Sequence, residues 1–259
     1  MPSDIGNYMH QTERDGRKWV LVTGGSRGIG RGLVEALCAV GYEVAFTYRK
    51  SAESAGALEA EIAERGGCAH GHHCDSSDAA AVRELAQELV SRNGAPYGLI
   101  NNAGVTRDAL MMRMSDEEWG DVIGNNLNAA FYVTRAFLPA MAENGGGCVL
   151  HMSSVAGHRG SAGQTNYSAT KAALSGMTRS LAVEMGRFDL RVNAIAPGYI
   201  ETDMIKTMPD AQRRSIRSAV PLRRIGTAED IAAVAVFLLG PGAAYITGQT
   251  FVVDGGLTA

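Results

Sequence analysis

From Trp19 onward, short apolar runs alternate with amphipathic stretches of helical length. "WVLVTG" leads into "IGRGLVEALCAVG", for which Gly41 is the expected helix stop. "EVAFTY" is followed by "SAESAGALEAEIAERGG", with Ser51 as candidate N-cap. "CAHGHHC", a helix around Asp78–Arg92 and "GLINNAG" come next. Two long helical stretches near 116–142 and 163–187 flank the strand "CVLHMSS", and "RVNAIAPG" and "TFVVDGG" supply the last strands. A strand–helix rhythm of this kind calls for a parallel sheet with helices on both faces. With 259 residues, 46% of them apolar, and no repeat or linker, one α/β domain over residues 18–259 is expected. Residues 1–17 mix charge, Gly and Pro and read as a flexible extension.

Composition removes several function classes. A formal charge of −3 supplies no basic field for nucleic acid. No apolar run approaches the roughly 20 residues of a membrane helix, so no membrane partner is expected. Cys38, Cys68, Cys74 and Cys148 are scattered, which predicts reduced thiols in a cytoplasmic protein. In "CAHGHHCD" (68–75), alternation places Cys68, His70, His72 and Cys74 on one side of a strand. No C-x-x-C or H-E-x-x-H spacing supports a metal, so none is expected. Apolar residues across 120–142 cover more than one helical stripe, which predicts self-association.

"VTGGSRGIG" (22–30) follows the first strand and opens the first helix. Gly24, Gly28 and Gly30 let backbone approach a pyrophosphate at a helix N-terminus, with Ser26, Arg27 and Ile29 between them. In dinucleotide folds an acidic residue about 20 positions further on holds the ribose 2′-hydroxyl of NAD. This chain has Tyr48, Arg49 and Lys50 in that neighbourhood, and Arg27 in the loop itself. Cations suit a 2′-phosphate, so NADP(H) is the predicted cofactor.

Tyr167 and Lys171, in "TNYSATKAAL", lie four residues apart and share a helix face. Together with the glycine loop, "NNAG" (101–104) and "SS" (153–154), they make the chain resemble the short-chain dehydrogenase/reductase family over about residues 18–259. The resemblance implies a Rossmann-type doubly wound sheet and a catalytic tetrad of Asn126, Ser154, Tyr167 and Lys171. Tyr167 would protonate the oxygen of a ketone that receives hydride, its pKa lowered by Lys171 and the oxidised nicotinamide. Ser154 would donate to the developing alkoxide, Lys171 would also bind the nicotinamide ribose, and Asn126 would hold a water that reconnects Lys171 to solvent. The small residues Ser168, Ala169, Ala172 and Ala173 would leave room for cofactor. By the same resemblance Asp75 and Ser76 would hold adenine. Asn102, Ala103 and Gly104 would line the cofactor, and Pro197, Gly198, Ile200 and Thr202 would seat the carboxamide.

"GQTNYSATKAAL" (163–174), "NAIAPGYIETDM" (193–204) and "YITGQTFVVDGG" (245–256) are similar to bacterial 3-oxoacyl-(acyl-carrier-protein) reductases and to acetoacetyl-CoA reductases. This implies NADPH-dependent reduction of a 3-oxoacyl thioester, on acyl-carrier protein or CoA, in fatty-acid or polyketide-type synthesis. A homotetramer is expected, with a hetero-oligomer left open. The competing readings are reduction of an unrelated ketone and a non-catalytic cofactor sensor. "ENGGGC" (143–148) and Phe188 depart from the basic residues that the carrier-protein reductases have there. Arg187 is a partial substitute, and Arg213, Arg214 and Arg217 are an alternative receptor for the phosphopantetheine phosphate or an acidic carrier.

Overall fold

A computed structural model of the chain describes residues 18–202, 205 and 207–259. The expected extension at 1–17 lies outside these residues. Seven parallel strands form one sheet in the order β3-β2-β1-β4-β5-β6-β7. They are β1 (Trp19–Val22), β2 (Glu43–Tyr48), β3 (Cys68–His73), β4 (Gly98–Asn101), β5 (Gly147–Met152), β6 (Leu190–Pro197) and β7 (Thr250–Val253). The central strands β1, β4 and β5 are buried along their whole length, which is why they read as unbroken apolar runs.

Helices cover both faces and divide the core in two. On one face α1 (Gly28–Ala39), α2 (Ala52–Glu64) and α8 (Ala228–Leu239) bury Leu33, Leu37, Leu58, Ile62, Ile231 and Leu238. α1 and α8 approach closely because Gly32 faces Ala228, where an added Cβ would lie 2.6 Å from the alanine Cβ. On the other face α3 (Ala79–Asn93), α5 (Ala129–Asn144) and α6 (Thr165–Met185) bury Val82, Leu89, Phe137, Met141, Ala182 and Met185. The expectation of an α/β fold with a parallel sheet covered on both faces matches this architecture.

Local signals held unevenly. Gly41 follows the first helix with a φ of +93°, as a helix stop requires. Ser51 stands at the N-cap of α2 but makes no capping hydrogen bond. Asp78 caps α3 by accepting from the N–H groups of Ala80 and Ala81. The long helix expected over 116–142 is broken. α4 (Asp116–Val122) passes through a π-helical segment at Ile123–Asn128 before α5 begins. Phe131 of α5 is half-exposed, with the Arg135 guanidinium 4.8 Å from its ring centre. α7 (Asp210–Ala219) completes the helices.

Candidate active site

All seven strands point their C-terminal ends to one side, where the strand-to-helix turns gather. The turn after β1 is locked to the turn after β4. Thr23 Oγ1 accepts from the N–H groups of Asn102 (2.9 Å) and Ala103 (3.0 Å). Asn102 Nδ2 donates to the carbonyls of Thr23 (2.9 Å) and Gly24 (3.2 Å). Thr47 Oγ1 accepts from Gly24 N at 3.2 Å. A side chain at Gly30 would run into the Gly24 carbonyl and the Asn102 amide, and Gly24 and Gly28 have φ of +65° and +55°. These glycines therefore answer to close approach and left-handed backbone, which sequence shows only as spacing.

A cavity of about 480 Å³ opens above these turns. It is lined by Gly24, Ser26, Arg27, Gly28, Ile29 and Gly30, by Tyr48, Arg49 and Lys50, by Asp75 and Ser76, and by Asn102, Ala103, Gly104 and Thr202. Fifteen of the predicted cofactor residues thus share one concave surface. The cradle of backbone at a helix start, with cations at the opposite wall, fits a phosphate-bearing dinucleotide. Pro197 and Gly198 stand apart from this cavity at the end of β6, where a Cβ on Gly198 would lie 2.6 Å from that of Asp254. Ile200 is buried in the core and bridges to Gly226 rather than facing the cavity. Asp203 and Met204, at the end of the same motif, lie outside the described residues.

Among the wall residues outside the predicted set, Asn125 and Thr47 carry polar contacts. Asn125 lies in the π-helical segment, and its Oδ1 accepts from Arg49 Nη1 at 2.9 Å. The same Arg49 nitrogen lies 3.4 Å from Asp75 Oδ2. Burial pushes the Asp75 carboxyl up, but hydrogen bonds from Ser77 and the Arg49 charge outweigh it and hold the group below its ordinary value. Thr47 is the second: buried between polar loops, it looks in sequence like any strand threonine.

The tetrad converges beside this cavity. Tyr167 and Lys171 come from the start of α6, and Lys171 Nζ sits 5.4 Å from the Tyr167 ring centre. Ser154 follows β5, and its hydroxyl lies near enough to the Tyr167 phenol to oppose the rise in that group's pKa. Lys171 is almost wholly buried and donates to the Met152 carbonyl at 2.7 Å. Burial without a counter-charge pushes its pKa down to about 8. In the protein without cofactor, burial raises the Tyr167 pKa, Ser154 opposes, and the Asp108 carboxylate adds to the rise; the expected lowering concerns the state with oxidised nicotinamide bound.

Asn126 joins the loop after β4 to α6. Its Oδ1 accepts from Val105 N (2.7 Å), and its Nδ2 donates to Val105 O (3.0 Å) and Thr170 Oγ1 (3.2 Å). Both amide hydrogens are engaged, so the side chain ties the Gly104–Val105 loop to α6. The small residues of α6 have a second use. Gly157, in the 3₁₀ turn after Ser154, packs so closely that a Cβ there would lie 2.8 Å from Ala172 N. Beneath the site His151 is fully buried, its Nδ1 2.9 Å from Thr178 Oγ1, and burial together with the Lys171 charge pushes its pKa down to about 4.

The arginines of α7 do not form one free cluster. Arg213 is bound to Glu201 at 2.7 Å, while Arg214 and Arg217 are exposed. Arg187 stacks on Phe188 with its guanidinium 4.6 Å from the ring centre.

Known proteins match this arrangement along nearly the whole chain. A family model described as enoyl-(acyl carrier protein) reductase matches residues 24–258. The 3-oxoacyl-(acyl-carrier-protein) reductase FabG of Pseudomonas aeruginosa is 43% identical over 243 residues, covering 93% of this chain and 97% of that one. Those of Staphylococcus aureus and Escherichia coli are each 42% identical over 240 residues, covering 93% of this chain and 98% and 97% of theirs. With a seven-stranded parallel sheet, a glycine-lined cavity and the Ser–Tyr–Lys group beside it, the chain belongs to the short-chain dehydrogenase/reductase family and is an oxidoreductase of that family.

Proposed function

We propose that the protein reduces a 3-oxoacyl thioester to the 3-hydroxyacyl thioester with NADPH, in fatty-acid or polyketide-type synthesis. The observation that carries the reading is the meeting of Ser154, Tyr167 and Lys171 beside a cavity whose far wall presents Arg49 and Lys50. The names of the three relatives support the thioester and the carrier protein.

A nicotinamide dinucleotide bound in the cavity supplies the hydride. Arg27, Arg49 and Lys50 would hold its 2′-phosphate, Arg49 exchanging Asp75 and Asn125 for the phosphate oxygens. Asp75 and Ser76 would take the adenine, and Thr202 the carboxamide side. Ser154 donates to the substrate's keto oxygen and Tyr167 transfers its phenolic proton there as the carbon gains hydride. Lys171, fixed by the Met152 carbonyl, places an ammonium beside the tyrosinate left behind. Without that anion, burial alone pushes the lysine down to about 8.

Carrier recognition rests on Arg214 and Arg217, since Arg213 is committed to Glu201. Half-exposed Phe131 and Phe237 give apolar surface for the homotetramer, which we place in the cytoplasm. A rate panel with NADPH tests the reading: 3-oxoacyl thioesters on CoA and carrier protein, the matching 2-enoyl thioesters, and simple ketones. The 3-oxoacyl thioesters should be fastest. Preference for the 2-enoyl substrates would point to enoyl reduction and overturn this reading, and preference for simple ketones would leave only a general ketone reductase.

A further inference from the structure

At the opposite end of the sheet, three side chains that no motif connects are brought together by strand register. β2 and β3 run parallel with Glu43 opposite Cys68 and Ala45 opposite His70. Residues at i and i+2 of a strand share a face, so Cys68, His70 and the neighbouring Glu43 project to one side. Their ligand atoms all lie within 4.8 Å of one another. Cys68 Sγ and His70 Nε2 are 3.4 Å apart. A sulfur and a nitrogen on one tetrahedral zinc lie about 3.5 Å apart, given bonds of about 2.3 and 2.0 Å. A thiolate, an imidazole and a carboxylate together carry two negative charges, which suits a thiophilic divalent cation.

We propose that Glu43, Cys68 and His70 form a zinc site with an open fourth position. A cleft of about 320 Å³ lined by Trp19, Glu43, Glu59, His70, His72 and Arg92 leaves room there for water. Glu59 also accepts from the Gly71 N–H, fixing the backbone next to His70. The other thiols do not compete, because Cys38, Cys74 and Cys148 are buried. β3 is an edge strand, so a bound ion would clamp the sheet margin onto β2. The site begins these strands while the cofactor cavity lies past their ends, about 16 Å away at 3.3 Å per residue. It is therefore separate from the reduction chemistry.

The test uses the full chain, reduced and stripped of metal with chelator. Zinc is titrated by calorimetry, and Co²⁺ serves as a chromophoric probe of thiolate ligation. The expected result is one equivalent of zinc and a thiolate-to-cobalt charge-transfer band. Cys68→Ser and His70→Gln should each weaken zinc binding by about tenfold or more, and the serine variant should lose the band. Zinc should raise the melting temperature of the wild type and of neither variant. Absence of stoichiometric binding, or wild-type affinity in either variant, would overturn the proposal.

Discussion

Two cations face the same cleft under opposite conditions. Lys171 is 4% exposed and held by a backbone carbonyl, whereas the Arg49 side chain is 37% exposed and shared between Asp75 and Asn125. Burial moves the lysine to about 8, into the range where proton chemistry runs. The Arg49 guanidinium has exchangeable partners, which suits it to recognising an anion. On the proposed function, the fold would separate proton handling from phosphate recognition by depth.

The contrast predicts that damage at the buried end appears in turnover and damage at the exposed end in affinity. Tyr167→Phe should lower kcat about 10³-fold while leaving NADPH affinity within a few-fold, measured by steady-state rates and cofactor fluorescence. His151 tests burial itself. Its value falls from 6.5 to about 4, so the native state refuses a proton that the unfolded chain accepts. Stability is full above pH 6.5 and is lost as pH falls toward 4, by about 3 kcal/mol at most. His151→Asn should flatten that part of the urea-denaturation profile. Lys171→Met should lower kcat about 10²-fold and abolish the fall in reduction rate expected of the wild type above about pH 8. Arg49→Ala should raise KM for NADPH about tenfold, with kcat and the KM for NADH unchanged. A fall in kcat instead would erase the division between the two ends.

Most of this was readable in the sequence because it rests on local pattern. Strand runs, the glycine turn, and the Tyr167–Lys171 spacing are each set within a few residues. What escaped depends on contacts between distant segments. Arg49 meets Asn125 across 76 positions, and Arg213 leaves its helical neighbours for Glu201. The break at 123–128 was hidden because a π-helical turn keeps the same apolar residues as the helix it interrupts. Glu43 joins Cys68 only through register, a quantity that no single strand carries. Ile200 matched a family position by sequence, yet its apolar side chain found the core.

The central claim is that Tyr167 is the proton donor, its phenol raised by burial in the protein alone and lowered again by the oxidised cofactor. Ultraviolet difference titration of the wild type against Tyr167→Phe measures that group directly. The account predicts a phenol that ionises above 10 in the cofactor-free enzyme and at lower pH once NADP⁺ is bound. An unshifted phenol, or one indifferent to the oxidised cofactor, would contradict it.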